Sequence, residues 1–209
     1  KSLGRLATLD LVQRAIAGQP KRRHLVATYF DTPDGHLRKA GLTLRLRREG
    51  KRLVQTVKSE AGEGDDPLSR GEWEAEVRDE TPDLAAAEDS PVPALLADAG
   101  LGAEALEPQV TVTTNRQIFP LALDGAEVEM AIDRGRIAAG GRTVPVTEVE
   151  LELKSGEAVH MLRFVRALLA EVPARLEHRS KSARGFALID GDPAPEKARG
   201  VDLDGEMSI

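Results

Sequence analysis

Leu42-Thr43-Leu44-Arg45-Leu46-Arg47-Arg48 alternates apolar and polar residues as far as Arg47, and residues 53–58 resume the alternation after Glu49-Gly50-Lys51-Arg52. A period of two sends successive side chains to opposite faces of a strand. Two such runs joined by a short glycine-containing link predict an antiparallel hairpin. One face of that hairpin then carries leucines, and the other carries Arg45 and Arg47.

The same grammar recurs on either side. Residues 25–30 are β-rich and stop at Asp31-Thr32-Pro33-Asp34-Gly35, whose Pro, Asp and Gly suit a turn. Glu72-Trp73-Glu74-Ala75-Glu76-Val77 alternates glutamate with less polar residues. Residues 110–118, 128–133 and 144–153 read as further strands, with turns at Asp124-Gly125 and Gly140-Gly141. Helical character is confined to residues 6–17, to an Ala/Leu-rich stretch at 84–101 interrupted by Pro91 and Pro93, and to residues 157–171, the last helix expected. Lys21-Arg22-Arg23 and residues 61–67 read as loops, and residues 191–209, rich in Asp, Gly and Pro, as a linker or tail. The pattern is that of an α+β protein.

Composition narrows the chemistry. The 209 residues are 41% hydrophobic, 31% charged and 3% aromatic, with no cysteine. Disulfides, thiolate metal sites and cysteine nucleophiles are thereby excluded, and no apolar run approaches the length of a membrane span. The lack of a charged-then-apolar start points to the cytoplasm. A net charge of -6, from 29 basic and 35 acidic residues, argues against general nucleic-acid binding. Carboxylates, Lys and Arg must carry the chemistry.

Sorting those charges by strand face gives a pattern that net charge hides. Arg45 and Arg47 share a face, as do Lys58 and Thr56, Glu72, Glu74 and Glu76, Arg116 and Thr114, Asp133 and Glu129, and Glu148, Glu150 and Glu152. One reading is an antiparallel sandwich whose ionic faces are wet. The other closes the sheet into a barrel with the ionic face inward and helices over the apolar outside. Such a lumen suits hard cations on its carboxylates and a polyanion on its Arg and Lys. Spacing alone allows both.

Tyr29-Phe30-Asp31-Thr32-Pro33, Leu44-Arg45-Leu46-Arg47, Gln55-Thr56-Val57-Lys58, Arg70-Gly71-Glu72, Asp133-Arg134-Gly135, Glu148-Val149-Glu150-Leu151-Glu152-Leu153 and Lys181-Ser182-Ala183-Arg184-Gly185 follow the order found in CYTH domains, the triphosphate tunnel metalloenzymes. The resemblance implies an eight-stranded antiparallel β-barrel, the triphosphate tunnel, with helices packed outside. It implies a phosphate clamp of Arg45, Arg47, Lys58, Arg116 and Lys181, extended by Arg70 and Arg184. It also implies Mg²⁺ or Mn²⁺ held by Glu148 and Glu150 with Glu152 and Asp133; in such a tunnel the attacking water is expected to be oriented by the metal or by a carboxylate such as Glu72 or Glu150. The expected activity is hydrolysis of inorganic triphosphate to diphosphate and phosphate. Adenylate cyclases and a thiamine-triphosphate hydrolase of the same family are alternatives, as is a non-catalytic polyphosphate-binding module ahead of a helical CHAD domain. One departure stands out: the family's opening Glu-x-Glu-x-Lys strand has no counterpart before Tyr29. The expected layout is therefore a tunnel domain over residues 1–190 without that strand, then the linker.

Overall fold

The computed structural model describes residues 5–62 and 70–191. The expected loop beyond Gly62 and the linker beyond Gly191 lie outside the described residues, as does the side chain of Arg70. The strands are β1 (Lys21–Asp31), β2 (Leu42–Glu49), β3 (Arg52–Gly62), β4 (Arg70–Val77), β5 (Glu107–Leu123), β6 (Ala126–Ala139) and β7 (Arg142–Gly156). They form one antiparallel sheet in the order β4-β3-β2-β1-β5-β6-β7. Two meanders thus flank β1, and Arg45, Thr56 and Glu74 fall opposite one another across β2, β3 and β4. Lys21-Arg22-Arg23, expected as a loop, opens β1, where Arg23 lies opposite Arg116.

The class is α+β and antiparallel, as the resemblance implies; among the described residues the strands number seven, against the eight expected, and β4 and β7 form the sheet's two edges. Each edge strand presents three glutamates on one face: Glu72, Glu74 and Glu76 on β4, and Glu148, Glu150 and Glu152 on β7. Like charges placed opposite each other destabilise a strand pair, and charged edges resist pairing. The acidity that marks these strands therefore disfavours their direct closure.

Four α-helices cover the apolar face. After a 3₁₀ turn at Leu6–Thr8, α1 (Asp10–Ala15) and the longer α4 (Ala158–Glu171) pack over Phe119, Leu121, Val128, Met130 and Ile132. On the other half, α2 (His36–Lys39) and α3 (Val92–Asp98) cover Leu44, Leu46, Leu53 and Val57. Pro93 lies in the first turn of α3, where its missing N–H costs nothing, so it starts a helix rather than interrupting one. Asp31 is buried, and its carboxylate accepts hydrogen bonds from the backbone N–H groups of Thr32, Leu37 and Arg38 at 2.8, 2.9 and 3.2 Å. The aspartate of the Tyr29–Pro33 motif thus organises the start of α2.

A fifth helix, α5 (Lys181–Asp190), corrects two expectations. Residues 157–171 are not the last helix, and the helices are not all on the apolar side. The ionic face carries an apolar band of Ala27, Val110, Val112, Ile137, Ala139 and Val146, on which α5 lays Phe186 and Leu188. Gly185 allows this approach: a Cβ there would lie 2.2 Å from Val110 Cγ1. At the far end of α5, Arg38 sits 5.1 Å from the Phe186 ring centroid and pairs with Asp190 at 3.2 Å. Among the described residues no helix is long and apolar enough to cross a membrane.

Candidate functional site

Two charged groups share the ionic face. The first is built by pairing β5, β6 and β7, which sets Arg116 opposite Asp133 and Asp133 opposite Glu148, with Glu150 two residues further along. One carboxylate oxygen from each of Asp133, Glu148 and Glu150 lies within 4.8 Å of the others. Gly135, which completes the Asp133-Arg134-Gly135 motif, lets β6 press against β5, since a Cβ would fall 1.8 Å from the Thr113 carbonyl oxygen.

Three carboxylates this close repel one another unless cations intervene, and here three cations do. Arg116 grips Asp133 through both oxygens, Nε to Oδ1 at 2.8 Å and Nη2 to Oδ2 at 2.7 Å, and reaches Glu150 at 2.5 Å. Lys181 Nζ lies 2.8 Å from Asp133 and 2.5 Å from Glu150, and also pairs with Glu148. Arg184 pairs with Glu148 at 2.6 Å. Asp133 is fully buried. Burial would raise its pKa, but hydrogen bonds from Arg116 and Lys181 outweigh that and hold it below the ordinary carboxylate range. Glu150 is likewise lowered, burial being overcome chiefly by the charge of Lys181. Burial would lower Lys181, yet Glu150 and Asp133 keep it above the usual amine range. Arg116 is raised, first by its hydrogen bond to Asp133.

Lys181 and Arg184 reach this group from the first turn of α5. With 157–171 expected as the last helix they would lie beyond it; instead they begin a helix, where the dipole opposes cations. The carboxylates supply what the dipole does not. Ser180 caps the helix by accepting a hydrogen bond from the Ala183 N–H, which fixes the backbone from which Lys181 extends.

The second group lies on β2, β3 and β4. Arg45 donates to Thr56 Oγ1 at 2.9 Å, and Thr56 donates to Glu74 at 3.0 Å. Arg47 lies 2.6 Å from Glu49 and 3.8 Å from Glu74. Both Nε atoms are buried: that of Arg45 has no hydrogen-bond partner, and that of Arg47 faces Glu49 Oε1 at 2.6 Å without a hydrogen bond's alignment. Burial, and then the neighbouring charge of Arg45, lower the pKa of Arg47. Lys58 and Glu72 form a separate, half-exposed pair at 2.9 Å.

The structure therefore gathers Arg116, Asp133, Glu148, Glu150, Lys181 and Arg184, and sets Arg45 beside Arg47. It leaves Glu152 outside the acidic trio, paired with Lys154 at 2.6 Å. Thr56, Glu49 and Glu74, absent from the expected site, are the contacts of Arg45 and Arg47. Strand parity marks Glu49, two residues beyond Arg47, and Glu74, two beyond Glu72. Three carboxylates supply hard oxygen donors of the kind that hold Mg²⁺ or Mn²⁺, so the residues fit a divalent cation.

The CYTH domain family model matches residues 4–186. An inorganic triphosphatase from Haemophilus influenzae is 32% identical over 162 residues, covering 77% of this chain and 45% of that protein. The chain thus spans less than half the length of this curated relative. Among solved structures, an adenylyl cyclase candidate from Hippeastrum described as having a dominant triphosphatase activity aligns with a TM-score of 0.55 and 19% identity, over 93% of this chain and 92% of that one. An adenylate cyclase candidate from Bacillus halodurans also gives 0.55, at 18% identity, over 88% and 91%. At these identities the likeness speaks to the fold. With the family model covering nearly all of its length, the chain belongs to the CYTH domain family.

Proposed function

We propose that this chain hydrolyses inorganic triphosphate to diphosphate and phosphate, using Mg²⁺ or Mn²⁺ held by Asp133, Glu148 and Glu150. The observation that carries this reading is the adjacent pair of largely buried guanidiniums of Arg45 and Arg47, in which Arg45 Nε has no acceptor and Arg47 Nε has only a poorly aligned carboxylate. Buried donors without acceptors are costly. Two adjacent guanidiniums on an ionic face, one with such a donor, suit a multiply charged oxyanion, and phosphate oxygens accept bidentate bonds from such forks.

When bound, the divalent cation offsets charge on the phosphate oxygens and lowers the barrier to displacement. The chain's own groups do the rest. Arg45 and Arg47 grip the polyanion, and Lys58, Arg116, Lys181 and Arg184 add positive charge around it. Glu150, whose lowered pKa keeps it ionised and whose side chain is 46% exposed, accepts a hydrogen bond from the attacking water and orients it. Glu72 is the second candidate for that task. The low aromatic content, 3%, favours a bare triphosphate over one carrying a base or a thiazole ring.

The test is phosphate release from triphosphate, ATP and thiamine triphosphate with Mg²⁺ or Mn²⁺, alongside binding to Arg45→Ala and Arg47→Ala variants. A hydrogen bond to a charged group contributes about 1.5–3 kcal/mol, so each variant should bind triphosphate at least about tenfold more weakly. No phosphate release from triphosphate, together with unchanged affinity in both variants, would end this reading.

A further inference from the structure

Lys181 holds a position that the proposed function leaves unexplained. Its ammonium contacts all three members of the acidic trio, Asp133, Glu148 and Glu150, while its side chain is only 13% exposed. A cation coordinated by those oxygens needs distances of roughly 2.0–2.6 Å to each, which places it where Nζ now lies. An ammonium and a metal ion cannot share that point. The α5 backbone is held by the Ser180 cap and by the Phe186 and Leu188 contacts, whereas the four-carbon stem of Lys181 is free to turn about its own bonds.

We propose that Lys181 is the resident counter-ion of this trio, and that it leaves the three carboxylates when a divalent cation takes them. The inference rests on the metal reading given above and adds a coupling to it. Lys181 keeps three mutually repelling carboxylates assembled in the metal-free chain. Entry of the metal frees the ammonium on the same face as Arg45 and Arg47, where it becomes available to a phosphate oxygen. Lys181 is thus a positioning residue before the metal binds and a phosphate ligand afterwards. Arg184, which contacts Glu148 alone among the trio, and Arg116, which contacts Asp133 and Glu150, need not leave together with it.

The coupling has a sign that a merely structural lysine would not produce. By isothermal titration with Mn²⁺ in phosphate-free buffer, Lys181→Met should bind the metal about tenfold or more tightly than the wild type, because its competitor is gone. With Mn²⁺ saturating, the same variant should bind triphosphate more weakly. Its thermal midpoint in chelator should fall, and Mn²⁺ should raise that midpoint by more than it raises the wild type's. Unchanged or weaker Mn²⁺ affinity in Lys181→Met overturns the exchange. A second measurement needs no variant to fold alone: in the wild-type chain, the Lys181 ammonium proton signal, protected by its carboxylates, should be lost to solvent exchange as Mg²⁺ is added. Its persistence at saturating Mg²⁺ also overturns the proposal. If the wild type binds Mn²⁺ and triphosphate but shows neither effect, only the exchange fails. If it binds neither, the triphosphatase reading fails with it.

Discussion

Replacing Arg116 with methionine offers the sharpest stability test of the site, because its guanidinium holds the one fully buried carboxylate there. Arg116 gives Asp133 two charge-assisted hydrogen bonds, at 2.8 and 2.7 Å. Each such bond contributes about 1.5–3 kcal/mol. The contact with Glu150 adds little, since that carboxylate is 46% exposed and screened by solvent. Lys181 remains on Asp133 in the variant, so the charge is not fully orphaned and the lower end applies, about 3 kcal/mol in total. For a chain of this size each kcal/mol moves the midpoint by about 2–4 °C, which predicts a fall of about 6–12 °C. Thermal unfolding should be followed by circular dichroism in chelator at pH 7. Adding Asp133→Asn should restore part of the loss, because the uncompensated buried charge is then removed. A midpoint within about 1 °C of wild type, or a double variant less stable than Arg116→Met alone, would refute the account.

Two further outcomes follow from the geometry. Gly185→Ala places a Cβ 2.2 Å from Val110 Cγ1, so Val110 must shift or α5 must lift. Denaturant unfolding should show a loss of about 1–3 kcal/mol, with weaker triphosphate binding as Lys181 and Arg184 withdraw; no change in either measurement would contradict the docking described for α5. The pH dependence has a definite sign. Asp133 and Glu150 sit below the ordinary carboxylate range when folded, so their contribution is complete above the unfolded pKa of about 4 and is lost as pH falls through their lowered values. Lys181 is raised, so its contribution is complete below about pH 10.4 and is lost as pH rises through its folded value. The midpoint difference between wild type and Asp133→Asn should therefore be constant across neutral pH and shrink on acidification; a difference as large at pH 2 as at pH 7 would remove the buried carboxylate from the explanation.

Much of this arrangement was legible in the residues. Strict alternation placed Arg45 and Arg47 together and set Glu148, Glu150 and Glu152 on one face, because the strand period is a local property of the backbone. The glycine-bearing turns at 124–125 and 140–141 divided the second meander correctly for the same reason. The ordered motifs indicated the family, which the family model bears out. Where local signals conflicted, the reading failed: Lys21-Arg22-Arg23 looked like a loop because charge dominated, yet pairing with β5 draws it into β1. α5 was missed because Lys181, Ser182, Arg184 and Gly185 interrupt its apolar pattern, and its stability comes from burying Phe186 and Leu188 rather than from helix propensity.

Which residues share a face was thus determined by the sequence itself, since alternation needs no distant contact. Which of those residues meet was decided only by the tertiary structure. Strand register brings Arg116, Asp133 and Glu148 into line across β5, β6 and β7. Helix α5, distant in sequence, then crosses an apolar band within the ionic face to deliver Lys181 and Arg184 to the acids. Glu152 has the same parity as Glu148 and Glu150 but stands apart, because it is the contact with α5 and Arg116, not parity, that gathers the trio. Electrostatic balance depends on distances of a few ångströms between elements far apart in the chain, and no local pattern encodes them.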